Sequence, residues 1–99
     1  MLIVTGTFKL AAEDIDKMKD AAAIMGRATR DEPGCITYAF WQSVEDGTEF
    51  RVYEEWQDQA ALDAHVQAAH MAVFRATLAT ANVLSREVVK FPTGQVTPL

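Results

Sequence analysis

The chain of 99 residues is long enough for one domain with a hydrophobic core and too short for two. Its net charge of −5 argues against nucleic acid and anionic membrane surfaces as partners, because both require a basic patch and the nine Lys and Arg residues form no run. Its single cysteine, Cys35, cannot form an internal disulfide, and no window approaches the roughly 18 apolar residues that span a bilayer. We also find no signal-peptide pattern, so these features predict a cytoplasmic protein.

The N-terminal third predicts a strand followed by a helix. Residues 2–10 alternate between two apolar faces, as in a strand buried on both sides. Gly6 within it indicates either a packing accommodation or the close approach of a bulky group to the backbone. Residues 13–31 predict the helix, because apolar residues recur there at spacings of three and four. Pro33 and Gly34 end it, since proline disfavours helical geometry in the residue before it.

The middle of the chain predicts a β-hairpin. β-branched and aromatic residues dominate two segments, 35–42 and 48–56. The Asp46-Gly47 pair between them is typical of a hairpin turn. The two segments are therefore expected to be neighbouring antiparallel strands.

The C-terminal half predicts a broken helix and a last strand. Asp58 is placed to cap a helical region that runs to about residue 82. This region carries two apolar stripes rather than one, which predicts a break near Ala68-Ala69. Residues 84–91 predict the fourth strand.

The order βαββαβ is that of an α+β ferredoxin-like domain over residues 2–91, with 92–99 as a C-terminal tail. Two right-handed crossovers around the hairpin give a four-stranded antiparallel sheet with both helices on one face. The strands also carry apolar or aromatic residues on the other face, in the neighbouring pairs Leu2/Ile3, Phe40/Trp41 and Val52/Tyr53. An uncovered apolar face of this size predicts a second copy packed against it, in a two-fold homodimer.

The residues able to do chemistry are concentrated in the third strand and the helix after it. Alternation along the strand places Glu54 and Trp56 on one face and Arg51 and Tyr53 on the other, so these side chains cannot all line one pocket. Because a buried carboxylate must be paired, Glu54 on an apolar face predicts a partner nearby.

Both histidines of the chain follow in the helical region. His65 and His70 are five residues apart, which would separate them by roughly 140° on an unbroken helix. With carboxylates scattered along the chain, this spacing is not typical of a zinc or iron site, so no metal site is predicted.

A spaced pattern links these residues: Glu32-Pro33-Gly34-Cys35, Tyr38, then Phe50-x-x-x-Glu54-x-Trp56-x-Asp58-x-x-Ala61-Leu62-x-x-His65-x-x-x-x-His70. The pattern resembles the antibiotic biosynthesis monooxygenase domain of the dimeric α+β barrel superfamily, including its quinol monooxygenase-like members. The resemblance covers roughly residues 2–91. It implies a homodimer whose two sheets close into a barrel, with a small pocket in each subunit between sheet and helices.

The resemblance also implies an activity, the oxygenation of a quinol or anthrone-like aromatic by O₂ without metal, flavin or haem. Such a reaction needs a proton acceptor, donors for the resulting anion and aromatic walls. His65 is the first candidate for the acid/base group and His70 the second, while Glu54 is a candidate to orient one of them. Arg51 or Tyr53 is a candidate to bind the phenolate oxygen. The candidate walls are Tyr38, Phe40, Trp41, Trp56 and Phe74.

Two other functions remain open from the sequence. A proton-transfer or isomerase enzyme acting on a small oxygenated metabolite would use the same pocket and His65. A non-catalytic ligand-binding dimer would use His65 and Glu54 only to hold strand and helix together. Pocket shape separates them: a filled core favours the binding protein, a strongly polar floor favours the isomerase, and a closed pocket too small for two fused rings counts against the monooxygenase.

Overall fold

Four strands and three helices follow one another in the predicted order in a computed structural model that describes residues 1–99. The elements are β1 (Leu2–Leu10), α1 (Ile15–Arg30), β2 (Cys35–Gln42), β3 (Glu49–Trp56), α2 (Gln59–Val66), α3 (Ala69–Ala79) and β4 (Val83–Pro92). A 3₁₀ turn at Ala12–Asp14 precedes α1. The α+β ferredoxin-like fold predicted from the sequence is confirmed.

All four strands form one antiparallel sheet in the order β2-β3-β1-β4. The central strand β1 pairs Val4 with Glu54 of β3 on one side and with Lys90 of β4 on the other. These three residues therefore lie in one row across the sheet, and their side chains point to the same face. The row thus brings two polar side chains, those of Glu54 and Lys90, to the same side of the sheet.

The predicted break in the second helical region is confirmed. α2 ends at Val66, and Ala68 has an extended backbone (φ −67, ψ 149) before α3 begins at Ala69. At the start of α2, the side chain of Asp58 accepts a hydrogen bond from the N–H of Ala61 at 2.9 Å, as expected of an N-cap. The break changes the direction of the chain between the two histidines.

The core lies between the helices and the sheet. Leu10, Met18, Met25 and Trp56 are almost completely buried there, and apolar side chains from all four strands and all three helices pack around them. Burial of these large side chains is the main source of stability, at roughly 1.5–3 kcal/mol for each one. None of the helices combines the length and the apolar character needed to cross a membrane.

The sheet face without helices differs from the expectation of a broadly apolar surface. Its two central strands place polar side chains there, and Arg51 Nη1 donates to Thr5 Oγ1 at 3.2 Å. Tyr53 and Thr37 both donate to the Glu55 carboxylate. Exposed apolar side chains on this face are confined to the edge strands, as Trp41, Val89 and Phe91. Strand alternation explains the difference, because β1 and β3 are apolar mainly toward the helices.

Candidate active site

An apolar cleft of about 420 Å³ lies between the helix-facing side of the sheet and the helices α2 and α3. Thirteen of its 19 lining residues are hydrophobic, and its volume is within the roughly 300–1,000 Å³ typical of small-molecule sites. Three of the predicted wall residues, Tyr38, Phe40 and Phe74, line it. A cleft with a mainly apolar lining therefore lies beside the packed core of sheet and helices.

His65 reaches this cleft from α2 and is almost completely buried, with 2% of its surface exposed. Its ring lies 4.8 Å from that of Trp56 and 5.4 Å from that of Tyr38, measured between ring centroids. Its Nδ1 lies 2.7 Å from Oε2 of Glu32. The imidazole is thus hydrogen-bonded to a carboxylate and packed against two tilted aromatic rings.

Glu32 contacts both histidines through the same oxygen. His70 Nε2 lies 2.8 Å from Glu32 Oε2, so one carboxylate bridges two imidazoles. The break between α2 and α3 makes this possible, because on an unbroken helix two residues five apart would point in directions roughly 140° apart. The carboxylate is therefore shared by the last turn of one helix and the first turn of the next.

Two tight turns hold Glu32 in this position. Its own N–H donates to the carbonyl of Thr29 at the end of α1, and its carbonyl accepts from Cys35 N–H at the start of β2. Gly34 adopts φ +82, a left-handed conformation that favours glycine, and its carbonyl accepts from Gln57 N–H just before α2. The turn thereby ties Glu32 to the same end of the sheet as His65.

Glu32 is the residue that sequence reasoning missed as a site group. Glu54 was expected to orient a histidine, and the structure corrects this: Glu54 pairs with Trp56, and Glu32 pairs with both histidines. The available signal was the Glu32-Pro33-Gly34 turn, which belonged to the pattern on which the family resemblance rested.

The same three residues form the chain's one cluster of potential metal ligands, with ligand atoms all within 4.8 Å of one another. Two imidazoles and a carboxylate suit a divalent transition metal. However, the N···O distances of 2.7 and 2.8 Å are hydrogen-bond distances. Ligands at about 2.0–2.2 Å around a tetrahedral metal would lie more than about 3 Å apart. Glu32, His65 and His70 therefore form a hydrogen-bonded network.

Glu54 supplies a second ionisable group to the cleft wall. It is 6% exposed, and its Oε1 accepts a hydrogen bond from Trp56 Nε1 at 2.9 Å. Burial raises the pKa of this carboxyl from 4.5 to about 7; the Trp56 hydrogen bond opposes the rise and the nearby charge of Glu32 adds to it. A carboxyl that titrates near neutral pH can act as either a proton donor or a proton acceptor.

This pKa predicts a measurable pH dependence of stability. Below pH 4.5 Glu54 is protonated in the folded and unfolded chains alike, whereas between 4.5 and about 7 only the folded chain keeps the proton. The contribution of protonated Glu54 to the free energy of unfolding is therefore fully present below pH 4.5 and is lost as the pH rises through about 7. Chemical denaturation measures this loss. We expect the free energy of unfolding of Glu54→Gln, relative to that of wild type, to rise by about 3 kcal/mol between pH 4 and pH 8. The exposed control Glu45→Gln should follow the wild-type curve, and parallel curves for Glu54→Gln would contradict the burial of an ionisable carboxyl.

The structure does not bring the remaining predicted site residues to the cleft. Arg51 and Tyr53 lie on the opposite face of the sheet, where they bind Thr5 and Glu55. Trp41 lies on that face as well and is 62% exposed. Trp56 is completely buried behind His65 and Glu54 and supports both without lining the cleft. Of the predicted catalytic residues, only His65 and Glu54 line the cleft, with His70 linked to His65 through Glu32.

Comparison with known proteins identifies a family. The sequence model of the family described as antibiotic biosynthesis monooxygenase matches residues 1–77 of this chain. An uncharacterized protein of Synechocystis is 30% identical over 66 residues, which are 67% of this chain and 45% of that protein. The chain thus spans less than half the length of this curated relative.

Solved structures show the same fold over nearly the whole chain. A Deinococcus radiodurans protein assigned provisionally as an antibiotic biosynthesis monooxygenase has a TM-score of 0.93 and 22% identity, covering 100% of this chain and 98% of that one. A Nitrosomonas europaea protein with the same provisional assignment has a TM-score of 0.88 and 24% identity, covering 94% and 98%. A third structure, described as an antibiotic biosynthesis monooxygenase, has a TM-score of 0.87 and 27% identity, covering 96% and 100%.

Proposed function

Because this chain belongs to the antibiotic biosynthesis monooxygenase family, we propose that it oxygenates a small quinol or anthrone-like aromatic with O₂ after deprotonating it in the cleft. The observation that carries the proposal is the buried His65 at the wall of the apolar cleft, hydrogen-bonded to the partly buried Glu32. An apolar cavity suits a fused-ring substrate, and a buried imidazole held by a carboxylate suits removal of a proton from it.

Glu32 determines which nitrogen of His65 is available. An ionised carboxylate only accepts hydrogen bonds, so Nδ1 of His65 carries the hydrogen that bonds to Glu32 Oε2 at 2.7 Å. The second nitrogen, Nε2, then has a free lone pair and is the proton acceptor. When His65 takes up the proton, the negative charge of Glu32 stabilises the imidazolium that forms. Glu32 is therefore a positioning residue and His65 the catalytic base.

The chemistry balances without an external reductant. Deprotonation of an acidic CH₂ or phenol gives an electron-rich anion that passes an electron to O₂. In the anthrone case the CH₂ carbon loses two hydrogens and gains one oxygen atom, and the four electrons released reduce O₂. One oxygen atom stays as the new carbonyl and the other leaves as water. In this proposal Glu54, which lines the cleft and whose pKa burial raises to about 7, donates the proton that the departing oxygen needs.

The proposal includes a homodimer formed through the sheet face without helices. Trp41, Val89 and Phe91 remain exposed on this face, and a second copy would cover them. Light scattering on the purified protein tests the dimer. We expect twice the chain mass of 10.9 kDa, and a monomer in dilute solution would contradict this part of the proposal.

Oxygen consumption tests the reaction. We would treat the purified protein with chelator, supply a panel of quinols and anthrones, and follow O₂ with an electrode and the product by mass spectrometry under ¹⁸O₂. The expected result is uptake that survives the chelator and places one labelled oxygen atom in the product. A folded protein that consumes no oxygen with any of these substrates would leave the proton-transfer enzyme and the binding protein as the remaining functions.

A further inference from the structure

β4 contributes two cations to a cleft that is otherwise mostly apolar. Arg86 pairs across the sheet with Phe8, and Lys90 pairs with Val4, so both side chains point to the helix-facing side. Both line the cleft. Two of the chain's nine Lys and Arg thus line the cleft, together with two acidic residues, the buried Glu54 and the exposed Asp63.

Arg86 has no partner within the chain. It forms no ion pair, and no side-chain hydrogen bond involves it. Lys90 does have a hydrogen-bond partner within the chain. Its Nζ donates to Gln59 Oε1 at 3.1 Å, and Gln59 Nε2 donates in turn to Asp63 Oδ1 at 2.8 Å. Asp63 is the one exposed acidic residue that lines the cleft, and Gln59 links it to Lys90.

The positions of Arg86 and Lys90 relative to Glu54 indicate how far a ligand must extend to contact both ends of the cleft. Lys90, Val4 and Glu54 occupy one row across the sheet, which places the backbones of Lys90 and Glu54 about 10 Å apart. Arg86 lies four residues along β4 from Lys90, about 13 Å at right angles to that row, so its backbone is about 16 Å from that of Glu54. A flat ring system whose reactive end contacts His65 and Glu54 would therefore extend across the apolar floor toward the cations of β4.

We propose that the cleft takes an aromatic acid, whose carboxylate is bound by Arg86 with help from Lys90 while its hydroxyl-bearing or CH₂ end lies at His65. The inference rests on the proposed use of this cleft as the substrate site. The guanidinium fork of arginine matches a carboxylate with two parallel hydrogen bonds, and a neutral substrate lacks the charge that strengthens them. Arg86 is thus a specificity-determining residue for an anionic substituent.

Equilibrium binding tests this without turnover. We would titrate the protein by calorimetry near neutral pH with a naphthol and with the hydroxynaphthoate that carries a carboxylate at the opposite end of the same rings. Wild type is expected to bind the acid about tenfold more tightly. Arg86→Gln should remove about that factor for the acid and leave naphthol affinity within about twofold. Arg27→Gln makes the same charge change on the exposed surface of α1 and should alter neither affinity.

The outcomes separate this inference from the proposed function. Equal affinity of wild type for the two probes, no binding of either, or equal losses in Arg86→Gln and Arg27→Gln would overturn the aromatic-acid substrate. If a neutral quinol is nevertheless oxidised, the proposed reaction stands without it. If the acid binds through Arg86 and no oxygen is consumed with any acid or neutral substrate, the binding inference stands and the proposed reaction fails.

Discussion

Replacing His65 with alanine is expected to lower the rate of oxygen consumption by about 10²- to 10⁴-fold, the contribution typical of a positioned general base. The reason is that His65 is the one imidazole that lines the cleft, and in the proposed arrangement its Nδ1, 2.7 Å from Glu32 Oε2, carries the hydrogen and leaves Nε2 to accept a proton. Steady-state rates with the best substrate of the quinol and anthrone panel measure the effect. Added imidazole should restore part of the lost rate, because the removed ring leaves space for it.

Two further variants separate proton transfer from structural support. Glu32→Gln keeps an oxygen that can accept from His65 and removes the charge, so we expect kcat to fall by roughly tenfold or more with little change in KM. His70→Ala should have a smaller effect, because His70 does not line the cleft. If circular dichroism shows that His65→Ala is folded and its rate is unchanged, a group other than His65 must be the base.

Gly6→Ala is expected to destabilise the fold by about 3 kcal/mol, the upper range for forcing extra volume into a packed interior. A methyl group at this position would overlap the carbonyl oxygen of Glu87 and Cα of Val88, and it would lie 2.8 Å from the carbonyl carbon of Glu87. These are backbone atoms of β4, which cannot rotate away as a side chain can. Thermal denaturation should show a fall in Tm of more than about 10 °C.

Gly94 provides the matched control. A Cβ added there meets no atom within 4 Å, so Gly94→Ala should stay within about 0.5 kcal/mol of wild type. Near-wild-type stability of Gly6→Ala would show that β4 does not approach β1 as closely as described. Because Arg86 and Lys90 are carried by β4, the same result would weaken their placement in the cleft.

Local signals in the sequence were sufficient for the fold. Asp46-Gly47 marked the hairpin, Pro33 and Gly34 marked the end of the first helix, and the change of apolar stripe located the break before Ala69. Each depends on residues close together in the chain, where backbone geometry and strand or helix periodicity act directly. The predicted boundaries differ by only a few residues, most at the end of α3, because helix ends fray into turns.

The site was harder to predict because it depends on contacts between distant residues. Strand alternation correctly separated Arg51 and Tyr53 from Glu54, since that follows from period two. The partner of His65 did not follow from any spacing: Glu32 is 33 residues away and reaches it through one turn after α1 and another between the last two helices. The cleft itself depends on how side chains pack between sheet and helices, which no periodic pattern specifies.

The most direct test is the absorbance spectrum of an anthrone or quinol mixed with the protein in the absence of oxygen, where deprotonation is isolated from all later steps. We expect wild type to give the spectrum of the ionised substrate near neutral pH, and His65→Ala to leave the substrate neutral. Admission of O₂ should then consume the anion in wild type. A substrate that stays neutral on wild-type protein, yet is oxidised at the normal rate once O₂ is admitted, would contradict deprotonation by His65 as the basis of the reaction.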